Sequence, residues 1–157
     1  GVQNFTLDSA AAAAGVSKGG LLYHFASKDA LILGMIDLNV QRFEERLSAH
    51  LEAADTSIEA WIRAFIEATL EVDEEEQHLS AALIAAIAIN PHLLEPLRIR
   101  YRTWQDRFDQ AAHPSIARII RFALDGWWIS TMLSLAPPTE SERVEFQATL
   151  LNLLKEN

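Results

Sequence analysis

The residues best suited to chemistry lie between positions 15 and 31. There Gly15-Val16-Ser17-Lys18-Gly19-Gly20 runs into Leu21-Leu22-Tyr23-His24-Phe25 and then Ser27-Lys28-Asp29-Ala30-Leu31. The chemistry they suit is recognition rather than bond making. A glycine turn, a short helix and a serine-capped longer helix together present the start of one helix to a DNA groove. Lys18 can donate to guanine O6 and N7. Lys28 opens the following helix, where its charge adds to exposed amides already suited to an anion. Gly19 and Gly20 bring no side chains and allow the backbone to approach closely. Direct readout is therefore expected to be sparse, with duplex shape contributing more than usual.

Other chemistries are weaker. Glu75-x-x-His78 has the spacing of a di-iron ligand pair on a helix, but that site needs a second such pair and the sequence holds none. Glu71 and Glu74 beside it read as a solvated acidic face. Gly15 to Gly20 is not a phosphate loop, because it lacks the Gly-Lys-Ser/Thr ending and a preceding strand. There are no cysteines, which excludes disulfides, thiolate metal sites and cysteine nucleophiles. A reducing compartment is permitted, and a cytoplasmic location is expected. Neither an enzyme, a metal site nor a cofactor is expected. The longest apolar stretch, Ala81 to Ile89, is too short to span a bilayer, so no membrane partner is expected.

The 157 residues are half hydrophobic, with four Trp and seven Phe, enough for a substantial core. The formal charge of −9 looks wrong for a nucleic-acid binder. Its distribution softens the objection. The first 28 residues hold Lys18 and Lys28 against Asp8 alone, so the acidity belongs to the remainder. An acidic body would be repelled by phosphates everywhere except at this slightly basic tip.

The elements that must position these residues read as helices throughout. Thr6 is an N-cap with Asp8 in the first turn. Leu7, Ala10, Ala11 and Ala14 form one face, and Gly15 ends the helix in the left-handed conformation. Ser17 caps the next helix, with Leu21, Leu22 and Phe25 inward. Ser27 caps a longer one, carrying Leu31, Ile36, Val40, Phe43 and Leu47 to about His50. Thr56-x-x-Glu59 reads as a capping box, and acids at Asp73 to Glu76 start a helix that stops before Pro91. Pro96 begins another, to about Ala112, with Tyr101, Trp104 and Phe108 on one stripe. The last two run from Ile116 to Leu135 and, behind a Thr139-x-x-Glu142 capping box, to Leu154. No period-two pattern suggests a strand. The fold class is all-α, with a helix-turn-helix tip in residues 1–30 and a larger helical bundle in residues 31–157. The boundary falls inside a shared helix.

The run Thr6…Gly15-Val16-Ser17-Lys18-Gly19…Tyr23-His24-Phe25…Ser27-Lys28-Asp29-Ala30-Leu31 resembles the DNA-binding domain of the TetR family of transcriptional regulators. Arg121-Phe122-Ala123-Leu124-Asp125-Gly126-Trp127-Trp128, with the Ala-Pro-Pro after it, resembles C-terminal regulatory domains of some members. The resemblance implies a homodimer that places a recognition helix of each subunit in successive major grooves of a palindromic operator. It also implies repression, relieved when a small molecule binds the body. By position, Thr6, Tyr23, His24 and Lys28 would contact phosphates, while Ser17, Lys18, Gly19 and Gly20 would lie against base edges or the groove floor. The family sets another helix before the one at Thr6, and Gly1 to Phe5 resembles the turn after it. A basic amphipathic helix ahead of residue 1 is therefore expected in the complete protein. The family also favours tyrosine where this chain has Leu22, with the aromatic displaced to Tyr23.

The body holds more large aromatics than helix packing requires, and aromatics with a few polar groups line ligand cavities. The expected ligand site comprises Trp61, Phe65, Trp104, Trp127 and Trp128, with His78, Arg102 and Asp125 as polar partners. The ligand is expected to be small and largely apolar or aromatic. The last two helices have more apolar positions than one buried stripe needs. Ile116, Ile120, Leu124, Trp128, Leu150 and Leu154 are the expected dimer contacts, giving a four-helix interface. A dimeric small-molecule-binding module without DNA binding is the alternative reading.

Overall fold

The computed structural model describes residues 6–51, 55–71 and 73–155. Eight α-helices lie among them: α1 Leu7–Ala13, α2 Lys18–His24, α3 Lys28–Ala49, α4 Ile58–Leu70, α5 Glu74–Ile89, α6 Glu95–Phe108, α7 Pro114–Met132 and α8 Glu140–Lys155. A 3-10 turn, Pro91–Leu94, joins α5 to α6. The described residues contain no strand. Gly1 to Phe5, expected to form a turn, lie outside the described residues.

Local chemistry sets most of the helix ends. Thr6, Ser17, Ser27 and Asp73 each accept a backbone N–H three residues on, satisfying a donor that the first turn leaves open. At Thr139 the capping box closes both ways: its N–H donates to Glu142 Oε2 at 2.7 Å, and Glu142 N–H donates to Thr139 Oγ1 at 3.3 Å. The box expected at Thr56 is instead a cap at Ser57, whose hydroxyl accepts Ala60 N–H at 3.1 Å. Asp55 decides this by accepting Ser57 N–H at 2.9 Å, which fixes Ser57 in the extended conformation.

Two helix stops fall earlier than the sequence suggests. α6 ends at Phe108 rather than near Ala112. α7 ends at Met132 rather than Leu135, because Ser134 takes a left-handed φ of 53°. Ser134 N–H then donates to Thr131 O, and Leu135 N–H reaches back to Ser130 O. This is a left-handed helix stop made without glycine, so no residue type announced it.

α4 is the hub, packing against α3, α6, α7 and α8. Its Trp61, Ile62 and Ile66 meet Phe108 of α6 and Ile120 and Leu124 of α7 in the main core, all nearly solvent-free. A second cluster joins Ile32 and Ile36 of α3 to Leu83, Ala86 and Ile87 of α5 and to Leu93. A third, at the tip, has among the described residues only Ala11, Leu21 and Leu31 buried. Met35 packs against both the second and third clusters, so α3 ties tip to body.

Candidate DNA-binding tip and ligand cavity

α1 ends in a double hydrogen-bonded turn at the tip. Gly15, at φ 67°, donates to Ala12 O at 3.2 Å, and Val16 N–H reaches Ala11 O at 3.0 Å. This turn reverses the chain and aims the start of α2 outward. Ser17 Oγ then accepts Gly20 N–H at 3.0 Å. Ser17, Lys18, Gly19 and Gly20 are all exposed.

The two glycines differ in an informative way. A Cβ added at Gly20 would sit 3.2 Å from Ser17 Oγ and press on the cap. One added at Gly19 would meet nothing within 4 Å, and Gly19 does not have a left-handed φ. Nothing among the described residues requires glycine there, although in a helix it is about 0.5–1 kcal/mol worse than alanine. What it leaves open is room for something outside the chain.

The side chains around this point are polar or aromatic and face solvent. Tyr23 is 86% exposed, with its ring edge-on to His24 at 5.2 Å. Lys18 Nζ donates to Asp8 Oδ2 at 2.9 Å. Thr6 caps α1 while itself exposed, and Lys28 is half-buried at the first position of α3. Leu22, expected to face inward, is exposed: Leu21 faces α1, and one residue along a helix turns 100° away. A residue missed in the sequence is Gly34. A Cβ there would fall 2.7 Å from the Phe25 ring, so its absence seats Phe25 on α3.

A second feature is a partly open cavity of about 420 Å³ lined by α3, α4, α5, α6 and α7. Phe43, Phe65 and Trp104 form an edge-to-face wall with ring centroids 4.9 to 5.5 Å apart. Its polar groups come mostly in pairs. Arg46 forks onto Glu76, with Nη1 and Nη2 donating at 2.6 and 2.8 Å. Asn39 Nδ2 lies 3.4 Å from Ser80 Oγ. Asp125 accepts from Arg121 Nη1 at 2.7 Å, beside Tyr101. Burial pushes the Asp125 carboxyl above the usual carboxylate range, against the opposing pull of Arg121 and a hydrogen bond from Tyr101. Burial, together with the Asp125 charge, drives the Tyr101 phenol well above its ordinary range, so it stays protonated.

Of the expected ligand residues, Phe65, Trp104, Asp125 and Trp128 line this cavity. The other four lie elsewhere. Trp61 is 2% exposed in the main core, with the Arg107 guanidinium 4.5 Å from its ring. Trp127 stacks on Phe146 at 4.7 Å. Arg102 is exposed and pairs with Glu95, and His78 is exposed. The cause is helical phase. On α5 the cavity side carries Glu76, Ser80, Leu83 and Ile87, and His78 falls between them on the outer face. Arg102 is one residue, hence 100°, past Tyr101.

Helical phase also corrects the dimer residues. Ile120, Leu124 and Leu150 are buried within the subunit and hold its own core; Ile116, Trp128 and Leu154 are partly buried. The outward stripe of α7 is Ile119, Phe122, Gly126 and Ile129, with Ile119 and Phe122 55% and 61% exposed. Both faces of α7 are apolar, so periodicity alone could not say which one the core takes.

Comparison with known proteins decides the family. Residues 1–35 match the family described as bacterial regulatory proteins, tetR family. Residues 59–155 match the tetracyclin repressor-like C-terminal domain. The chain belongs to the TetR family. It is therefore an all-helical DNA-binding transcriptional regulator, and proteins of this family are in general not enzymes. No curated protein matches the chain. No helix among the described residues is long and apolar enough to cross a membrane.

Proposed function

We propose that the chain is a repressor that binds a palindromic operator as a homodimer and leaves it when a small, largely apolar molecule fills the cavity. Residues 1–30 serve as the DNA-reading unit and residues 31–157 as the ligand-binding and dimerising unit. The observation that carries the DNA half is Gly19, a helical glycine that the fold does not need, at the exposed start of α2. Backbone approach to the groove floor explains it. Lys18, Ser17 and Gly20 flank that point, while Thr6, Tyr23, His24 and Lys28 reach phosphates on either side.

The apolar outer stripe of α7, continued by exposed Val144 of α8, supports dimerisation through these two helices. A two-fold pair built there matches the symmetry of a palindrome. Release follows as a population shift: the ligand favours a subunit arrangement whose recognition helices no longer match successive grooves. Footprinting on DNA from beside its own gene tests this reading. Two symmetric protected half-sites, about one helical turn apart, are expected. A single half-site occupied by one chain would overturn the dimeric operator.

A further inference from the structure

The cavity's polar groups specify what its occupant must bring, if the cavity is the ligand site proposed above. Its cations already face carboxylates: Arg46 gives both Nη groups to Glu76, and Arg121, just outside the lining, gives Nη1 to Asp125 while its buried Nε has no acceptor. Arg98, the remaining lining cation, is solvent-exposed and lies 3.4 Å from Glu95 Oε2. Among the lining residues, the buried atom without a partner is an acceptor. Asn39 Oδ1 is buried with no donor, and its Nδ2 makes only a long contact to Ser80. Asp125 is partly desolvated among Tyr101, Trp104 and Trp128, on the α6–α7 side of the cavity.

We infer that the occupant is an uncharged, largely apolar molecule whose hydrogen-bond donor seats against Asp125, and that anionic amphiphiles are rejected. A carboxylate would face Asp125, whose charge already takes up the Arg121 cation, so a second carboxylate there has no counter-charge of its own. An ammonium would add a charge to an Asp125–Arg121 pair that is already neutral, and its desolvation would not be offset. A hydroxyl or amide N–H needs only the acceptor that is there. The raised Asp125 carboxyl agrees, since a further donor relieves a charged form that burial disfavours.

Calorimetric titration of the full chain with phenylbutanol, phenylbutanoate, phenylbutylamine and butylbenzene tests this, because the four share one apolar body. The alcohol is expected to bind roughly tenfold more tightly than each of the others, about the worth of one hydrogen bond to a charged acceptor. Asp125→Asn should shrink that advantage while leaving butylbenzene unchanged, which also reports an intact cavity. If that variant does not fold, acidification of the native protein serves instead. The alcohol's advantage should fall as Asp125 protonates, with butylbenzene constant. Equal or tighter binding of the carboxylate or the amine, or no gain of the alcohol over butylbenzene, would overturn the inference while leaving the cavity reading intact. Failure of all four, butylbenzene included, would remove both.

Discussion

Tip and body are held together by different means. In the body, large side chains such as Trp61, Ile66, Phe108 and Ile120 are almost completely removed from water. Among the described residues of the tip, only Ala11, Leu21 and Leu31 are. There the backbone is shaped by hydrogen bonds instead: caps at Thr6, Ser17 and Ser27, and the turn at Gly15. The body's residues are chosen for the interior, so replacing them should change stability first. The tip's exposed residues are free of that demand, so replacing them should change recognition and leave folding intact.

The largest expected effect tests the body. Phe108→Ala removes a fully buried ring among Trp61 and Phe65 and should cost about 3–5 kcal/mol in denaturant unfolding. A loss below about 1 kcal/mol, closer to that of a surface substitution, would mean that the ring is not held as tightly as it looks. Gly34→Ala comes next. It forces the Phe25 ring off α3 and should destabilise by about 1–3 kcal/mol, the usual consequence of overpacking. Hydrogen exchange should show that loss concentrated in α2 and the start of α3, and a uniform change would blur the distinction between the two regions.

At the tip, Lys28→Ala should weaken binding about equally on matched and mismatched duplexes, and flatten the salt slope by roughly one unit. Lys18→Ala should instead relax the choice at one operator position, by roughly 1–3 kcal/mol of discrimination. Equal behaviour of the two variants on both duplexes would remove the division between phosphate and base contacts. The smallest effect is expected at Asp8, which holds Lys18 Nζ in the free protein. Asp8→Asn should tighten DNA binding by up to roughly fivefold, in keeping with an exposed ion pair.

What could be read in the sequence follows the same division. Thr6, Ser17, Ser27 and Gly15 announce their roles because caps and turns depend on a few neighbouring residues. Even there, Asp55 moved one cap from Thr56 to Ser57 by a contact two residues long. Ser134 stops α7 in a conformation that its residue type does not advertise. The cavity was less legible, because its membership depends on how each helix is rotated against the others. His78 and Arg102 missed it by a fraction of a turn, and Arg46, Glu76 and Asn39 entered it through pairings across 30 to 41 residues. The two apolar faces of α7 gave the sequence no way to separate core from outer stripe.

The central claim is that the glycine at position 19, at the start of α2, is set by an external duplex and not by the fold. Fluorescence anisotropy on DNA from beside its own gene, comparing the native chain with Gly19→Ala, tests it most directly. The variant is expected to unfold no more easily than the native chain, since its new methyl meets nothing within 4 Å. It should nevertheless bind the duplex roughly tenfold or more weakly, as one lost close approach in the groove would require. Unchanged affinity in a folded Gly19→Ala protein would contradict the account.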